Sequence, residues 1–400
     1  MTTSSNSIAD TAQSAATAGL GRALAGLAAL AVAMGIGRFA FTPVMPMMLH
    51  DAGLSIAAGA WLASANYVGY LLGALSAMAW RLPAPLAIRG GLLVISAVTL
   101  AMAAPLPFGI WMGLRLLAGV ASAWVLISVS AWCMDTLAVY RRPFLNSLVF
   151  AGVGCGIAGA GLLCLLLSRA GAASASAWAT LGGAAAAISV LVWRCFPAGP
   201  AAPAGPGAPA SGLEAGRMRW SGAALRLVCC YGVFGFGYII PATFLPVMTR
   251  NVLQDPALFG WAWPVFGLAA AISTLMVARL KRRFSNRQIW AGGQLLLALG
   301  ALLPIVWPQL LALFGAALCV GGTFMVITLV ALQEARALGG RHGTTLIAAM
   351  TAAFAAGQII GPLTVRAAGH GNASFAGGLL LAAGLLVAST LLLRRGAGSA

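Results

Sequence analysis

The stretch GIGRFAFTPVMPMM (Gly35–Met48) recurs without a gap as GFGYIIPATFLPVM (Gly235–Met248). The two copies share paired glycines, a proline and a final methionine, and the same offset continues beyond them, so that Trp61 falls on Trp261. Self-similarity at one long, fixed offset indicates that the chain consists of two halves of similar structure. Each copy carries two prolines after its first glycine, so we expect a helix that bends near these prolines.

The composition predicts an all-α membrane protein. Hydrophobic residues make up 61% of the 400 residues and charged residues only 7%, and the mean hydropathy is +0.96. A water-soluble domain of this length could not cover its surface with so few charges. The net charge of +17 would suggest nucleic-acid binding in a soluble protein. Here the basic residues lie between apolar runs, so we expect the lipid bilayer and no nucleic acid as partner.

The apolar runs predict twelve transmembrane helices, because a helix needs about 20 apolar residues to cross the hydrocarbon core. Prolines next to the third and ninth runs, among them Pro304 and Pro308, predict tight turns there. The expected spans are 20–48, 57–79, 87–104, 108–133, 144–168, 175–196, 221–248, 258–280, 288–303, 308–333, 344–367 and 374–393.

A stretch rich in Pro, Gly and Ala separates the sixth and seventh spans. Its sequence, PAGPAAPAGPGAPASGLEAG (Pro197–Gly216), is typical of a flexible linker. The expected domains are therefore a disordered cytoplasmic tail (1–18), an N-terminal six-helix bundle (19–196), a cytoplasmic linker (197–220) and a C-terminal six-helix bundle (221–395).

The basic residues predict the orientation of these helices. Of the 23 Lys and Arg residues, two lie deep inside spans. Eighteen lie in or beside the segments on one side of the membrane, and only three (Arg169, Arg250 and Arg366) lie in or beside those on the other side. Because cytoplasmic segments carry the excess of positive charge, this bias places both termini in the cytoplasm.

The two arginines inside spans are Arg38 and Arg115. A charge at the bilayer centre costs on the order of 3 kcal/mol even on a mild scale, so such residues usually line a pathway or face a partner. The acidic residues all lie in a tail, in a loop or at the edge of a span; they are Asp10, Asp51, Asp135, Glu214, Asp255 and Glu334. The positive charge therefore favours an anionic ligand, although each arginine could instead snorkel outward or bond to backbone carbonyls.

Several stretches resemble one transporter superfamily. GLRLLAGVASA (Gly113–Ala123) resembles the fourth-helix motif of the major facilitator superfamily, an Arg followed four residues later by Gly. GIGRFAFTPVMP, GAWLASANYVGYLLGAL (Gly59–Leu75) and MTAAFAAGQIIGP (Met350–Pro362) resemble its YbfB/YjiJ-like branch. The resemblance implies two bundles around a central cavity that opens alternately to each side, and it implies a role in proton coupling for Arg115.

The candidate substrate-binding residues are Arg38, Arg115, Asn66, Tyr238 and Gln358. The last three are polar groups near the middle of their spans, where they could bind substrate or simply bond to a neighbouring helix.

A candidate inner gate lies at the inner ends of the fourth and tenth spans. Asp135 and Glu334 could pair there with Arg81, Arg89, Arg141, Arg142 or Arg336.

Together these features predict a secondary transporter of a small solute, with a small organic anion favoured and protons as a possible second partner. The Arg-x-x-x-Gly motif favours an alternative, a proton-coupled efflux antiporter for hydrophobic or drug-like compounds. That alternative lacks intramembrane acids and the proline usual in the fifth helix, absent from GVGCGIAGAG (Gly152–Gly161). GCGIAG within it matches a dinucleotide motif, yet no strand precedes it, so close helix packing is the better interpretation.

Other functional classes are less favoured. A membrane sensor that does not transport remains a lower-ranked alternative. Enzymatic activity is not expected, because no Ser–His pair, acid pair or histidine cluster lies at helix depth. The three histidines are each alone in a loop, so neither a metal nor another cofactor is expected. We expect the protein in the bacterial inner (plasma) membrane.

Overall fold

The computed structural model describes residues 17–80, 82–197, 218, 220–252, 260–307, 309–367 and 372–394, and every regular element in these ranges is a helix. The expected tail, linker and the end of the chain lie largely outside the described residues. In chain order the helices are α1 (Thr17–Asp51), α2 (Ile56–Ala79), α3 (Ala84–Ala101), α4 (Phe108–Ala138), α5 (Pro143–Arg169), α6 (Ser174–Val192), α7 (Gly222–Val252), α8 (Ala262–Leu280), α9 (Asn286–Val306), α10 (Leu310–Gly339), α11 (Gly343–Ala367) and α12 (Asn372–Arg394).

Within the described residues, eleven helical segments are long and apolar enough to cross a membrane. Ten of them each correspond to one expected span. The other, Phe314–Thr364, has 51 residues and contains most of both α10 and α11. A single 3₁₀ turn, Gly340–His342, joins these two helices, and Gly340 has a φ of 48°, which glycine adopts without steric cost.

The prolines near the third and ninth spans occupy different positions relative to the helices. Pro107 is the N-cap of α4, and α3 ends before it at Ala101. Pro304, by contrast, lies inside α9, which continues to Val306. The tight turn expected between these spans is present, since α10 begins at Leu310, but it starts two residues after Pro304. A proline inside a helix removes one hydrogen bond, but Pro304 is itself buried, and this packing offsets the loss, so that α9 continues for two more residues.

Helix α1, which contains the first copy of the repeat, is irregular in its middle. Its residues Ala31–Phe39 form a π-helix, and Phe41–Asp51 continues as an α-helix with Pro46 inside it. The irregular part thus lies upstream of the prolines. The equivalent helix α7 is α-helical along its whole length. A π-helical segment takes carbonyl groups out of the regular α ladder, which lets other groups bond to them.

Glycines bring the two halves of the chain into close contact along α5 and α8. A Cβ added at Gly154 would lie 2.6 Å from the carbonyl oxygen of Gly267 and would also overlap the backbone of Ala271. One at Gly161 would lie 2.9 Å from Pro264. Within GCGIAG, close helix packing thus applies to Gly154, as small residues allow between membrane helices, but not to Gly159, where an added Cβ would find open space.

Candidate functional site

Arg38 lies at the end of the π-helical segment and connects the two halves of the protein. Its side chain is buried, with 3% of its surface exposed. The guanidinium carbon is 3.6 Å from the ring centroid of Tyr70 on α2, within the range of a cation–π contact. Nη2 of Arg38 donates to Oε1 of Gln358 on α11. Two of the expected site residues therefore meet across the boundary between the halves.

Arg115 on α4 is equally buried but has different partners. Its Nη1 donates to the carbonyl oxygen of Gly37 and its Nη2 to that of Arg38, each at 3.3 Å. Its guanidinium carbon is 4.9 Å from the centroid of the Phe41 ring. Arg115 thus binds backbone carbonyls that the π-helical segment presents, which is the alternative that the sequence left open. These two hydrogen bonds attach α4 to the carbonyl groups directly before and after the Cα atom of Arg38.

Asn66 on α2 completes this attachment. Its side chain is fully buried, and Nδ2 donates to the carbonyl oxygens of Arg115, at 3.0 Å, and Gly37, at 3.4 Å. Asn66 therefore joins α1, α2 and α4 within the first half. Its amide nitrogen bonds to neighbouring helices, as the structural interpretation of this residue expected.

Several buried polar atoms of this cluster have no hydrogen-bond partner among the described residues. These atoms are Nε and Nη1 of Arg38, Nε of Arg115, Oδ1 of Asn66 and Nε2 of Gln358. Leaving a buried polar group unpaired costs about 1–3 kcal/mol, and more for a charged group, so each such group calls for an explanation. Four of the five are donors, which is the arrangement that an anion would satisfy.

The described acidic side chains are engaged elsewhere. Asp51, at the end of α1, accepts a hydrogen bond from the Ser174 hydroxyl at 2.6 Å, and Asp135 and Glu334 form ion pairs with other arginines. Within the described ranges, no three His, Cys, Asp or Glu side chains come together as a metal site would require. The charge of Arg38 and Arg115 is therefore not balanced by a carboxylate in this part of the chain.

Tyr238 is connected to the site by contacts between neighbouring aromatic rings. It stacks on Phe324 of α10, with 4.4 Å between ring centroids. Phe324 in turn meets Phe39 edge to face at 5.8 Å, and Phe39 follows Arg38 directly in sequence. The aromatic cluster thus continues from Arg38 into the second half, and it contains rings on α1, α7 and α10.

The candidate gate residues lie at the C-terminal ends of α4 and α10. Asp135 accepts two hydrogen bonds from Nη2 of Arg336, at 2.5 and 2.6 Å, and one from its Nε at 2.9 Å. This pair joins the two halves. Of the other candidates, Arg81 lies outside the described residues, and Arg141 is exposed in the turn after α4, with a φ of 50°.

Glu334 does not join the halves in this structure. It accepts a hydrogen bond from Nε of Arg287 on α9 at 2.6 Å, so the contact stays within the second half. Lys281, just after α8, donates to Gln333 at 2.7 Å. Burial lowers the pKa of Lys281, and the nearby carboxylate of Glu334 opposes that shift in part.

Sequence reasoning missed the aromatic box around Arg38. Tyr70 covers the guanidinium, and the rings of Phe39 and Tyr67 have centroids 5.6 and 5.7 Å from its carbon. One signal was present in the sequence: Asn66 and Tyr70 are four residues apart on α2, so they share one helix face. Which residues lie opposite this face depends on how α2 packs against α1 and α11, which the sequence alone does not predict.

Comparison with known proteins agrees with this architecture. The family model described as "Uncharacterised MFS-type transporter YbfB" matches residues 30–394. No curated protein matches the chain. A solved structure described as the human organic anion transporter MFSD10 (TETRAN) is similar with a TM-score of 0.65 and 16% sequence identity, over 94% of this chain and 98% of that one. At this identity the likeness concerns the fold alone.

Proposed function

The chain belongs to the family of uncharacterised YbfB-type MFS transporters, and from that premise we propose that it carries a small organic anion across the bacterial inner membrane by alternating access. The observation that supports the anion is Arg38. It is a buried cation between the two halves, with two nitrogens that lack a hydrogen-bond partner among the described residues. A carboxylate supplies both the charge and the acceptors that these nitrogens lack.

Twelve membrane crossings with both termini in the cytoplasm are part of this proposal. The segment Phe314–Thr364 would be roughly 75 Å long as one straight helix, whereas the hydrocarbon core is about 30 Å thick. Its length and the turn at Gly340–His342 favour two crossings. The bias of basic residues then puts that turn, and the Asp135–Arg336 pair, on the cytoplasmic side.

Alternating access requires contacts between the halves to break and form again. The Arg38–Gln358 hydrogen bond lies at the centre of the protein, and the Asp135–Arg336 ion pair lies at the proposed cytoplasmic end. Opening toward the cytoplasm would break the ion pair, and binding of an anion would replace the central bond. In this scheme Arg38 and Gln358 bind the substrate, Arg115 and Asn66 hold the backbone of Arg38, and Tyr238 forms part of the wall.

The described residues constrain how transport could be coupled to protons. The described carboxylates bind groups other than Arg38 and Arg115, so none of them is placed to carry a proton beside these arginines. A weak-acid substrate could carry the proton on its own carboxyl group, and exchange of one anion for another would need no proton. Both routes use the same arginine anchor.

The test is uptake of an organic acid by proteoliposomes that contain the purified protein. A thermal-shift screen of organic acids identifies the acid to use, since a bound ligand raises the melting temperature by mass action. Arg38→Gln should weaken binding of that acid about tenfold to hundredfold, because a buried hydrogen bond to a charged group contributes about 1.5–3 kcal/mol.

The matched control is Arg194→Gln, which removes an exposed arginine at the end of the first half and should leave uptake unchanged. Uptake that persists in folded Arg38→Gln protein would show that Arg38 is not the anchor.

A second function is favoured by the aromatic cluster. The rings of Phe234, Tyr238, Phe324 and Phe354 pack against one another with centroid distances of 4.4–6.4 Å. Such a surface also suits hydrophobic or drug-like compounds, as expected of a proton-coupled efflux antiporter. If hydrophobic cations raise the melting temperature and organic acids do not, this second function replaces the first.

A further inference from the structure

Arg38 is held between aromatic rings that fix where its free donors can act. The Tyr70 ring covers the guanidinium at 3.6 Å, and the Phe39 and Tyr67 rings lie near it at 5.6 and 5.7 Å. Cation–π contacts of this kind strengthen when water is excluded, as it is around a side chain that is 3% exposed. The guanidinium is therefore positioned in advance and does not need to be ordered by a ligand.

Gln358 occupies one acceptor position on this guanidinium. Its Oε1 accepts the hydrogen bond from Nη2 of Arg38, while its own Nε2 is buried without a partner in the described part of the chain. A carboxylate has two oxygens that can each accept more than one hydrogen bond. It can replace Oε1 of Gln358 on Arg38 and accept a further hydrogen bond from the freed amide.

Next to this position lies an aromatic surface that is shared by both halves. Phe39 of the first half meets Phe324 at 5.8 Å and Trp263 at 6.4 Å, and Tyr238 stacks on Phe324. The two contacts of Phe39 cross the boundary between the halves, as does the Arg38–Gln358 bond, whereas the Tyr238–Phe324 stack lies within the second half. Separation of the halves would therefore expose the guanidinium and the rings together.

We infer that the transported anion is an aromatic monocarboxylate, whose carboxylate replaces Oε1 of Gln358 on Arg38 and whose ring packs between Phe39 and Phe324. This inference rests on the proposed function and adds a substrate class to it. A single carboxylate is favoured because Nη1 and Nη2 of Arg115 are already bound to backbone carbonyls, which leaves Arg38 as the accessible anchor. An aromatic ring is favoured because the rings offer both stacked and edge-to-face geometries.

Binding to purified full-length protein tests the substrate class with matched probes. Benzoate, cyclohexanecarboxylate, acetate, phthalate and benzylamine are titrated, and the dissociation constants are obtained from thermal shifts and calorimetry. We expect benzoate to bind about threefold to tenfold more tightly than cyclohexanecarboxylate, as an aromatic pair contributes beyond its area. Acetate and phthalate should bind more weakly than benzoate.

The outcomes separate this inference from the proposed function. If cyclohexanecarboxylate binds as tightly as benzoate, or if acetate or phthalate binds more tightly, the aromatic monocarboxylate is wrong while an anion transporter remains. If benzylamine binds and none of the acids does, the proposed function fails as well. If none of the five probes binds, the inference is also overturned, because benzoate contains every recognised feature.

Two variants test the geometry. Gln358→Glu places a permanent carboxylate beside Arg38, so it should abolish benzoate binding while the protein unfolds at the same or a higher temperature. Phe324→Leu should weaken benzoate about threefold and reduce its advantage over cyclohexanecarboxylate. Its control is Phe196→Leu, a buried phenylalanine that packs against Trp132 away from Arg38. Unchanged benzoate affinity in folded Gln358→Glu, or an equal loss in both phenylalanine variants, would overturn the inference.

Discussion

Gly154 and Gly159 lie on the same helix, α5, but in different surroundings. A Cβ at position 154 would lie 2.6 Å from the carbonyl oxygen of Gly267 on α8 and would overlap the backbone of Ala271. A Cβ at position 159 would meet no described atom within 4 Å. Alanine at position 154 should therefore push the two halves of the protein apart, whereas alanine at position 159 should not.

The size of the effect follows from two terms. Replacing glycine by alanine inside a helix gains about 1 kcal/mol of helix propensity at either position. Overpacking a rigid contact costs about 1–3 kcal/mol, and at position 154 the neighbours are backbone atoms that cannot rotate away. The propensity term cancels between the variants. Gly154→Ala should thus be about 1–3 kcal/mol less stable than Gly159→Ala.

The assay is unfolding of the purified protein in mixed micelles by increasing mole fractions of SDS, followed by tryptophan fluorescence. Uptake by proteoliposomes is measured in parallel, because a displaced α5–α8 contact should also change transport. Gly159→Ala should keep wild-type uptake. Equal stability of the two variants would refute the close approach of α5 and α8, and so would a loss of stability in Gly159→Ala alone.

Two further predictions concern the charged residues. Asp135→Asn should shift the equilibrium by about fivefold at most toward the state in which the C-terminal ends of α4 and α10 are apart, because an exposed ion pair contributes only about 0.2–1 kcal/mol. In the proposed topology this is the cytoplasm-open state. Spin-label distances between the two helix ends measure the shift, and unchanged distances would contradict the gate. Arg115→Lys keeps the charge, but an ammonium group cannot donate to two carbonyl groups in the planar geometry of a guanidinium. The variant should therefore lower the free energy of unfolding by about 1 kcal/mol and change anion affinity less than Arg38→Gln does. A larger loss of affinity in Arg115→Lys would show that this arginine contacts the substrate.

The positions of the helices were predictable because the thickness of the bilayer sets a minimum length for every apolar helix that crosses it. The ten segments that correspond to single spans follow from this rule. The tight turn predicted between the ninth and tenth spans is present, but α9 ends two residues after Pro304, since proline disfavours a helix only locally and packing determines where the helix ends. The repeat indicated two similar halves, yet it did not predict that α1 is π-helical where α7 is α-helical.

The candidate site was predictable only in part. Arg38 and Arg115 are conspicuous because each places a charge within an apolar run. The Arg38–Gln358 contact joins residues 320 positions apart, so it depends on the packing of α11 against the first half. The same holds for Phe39 and Phe324, whose contact requires both halves to be assembled.

The two arginines of the first half differ in what they bind, and the difference follows from the π-helical segment. That segment presents the carbonyls of Gly37 and Arg38 to α4, and Arg115 binds both. The carbonyl group that Arg115 holds through Nη2 belongs to Arg38 itself, so one guanidinium fixes the backbone from which the other extends. Two positive charges at close range repel each other, and no described carboxylate lies between them to relieve that repulsion. An anion that binds Arg38 reduces the cost of keeping both charges buried, and its binding should therefore also tighten the contact of Arg115 with α1.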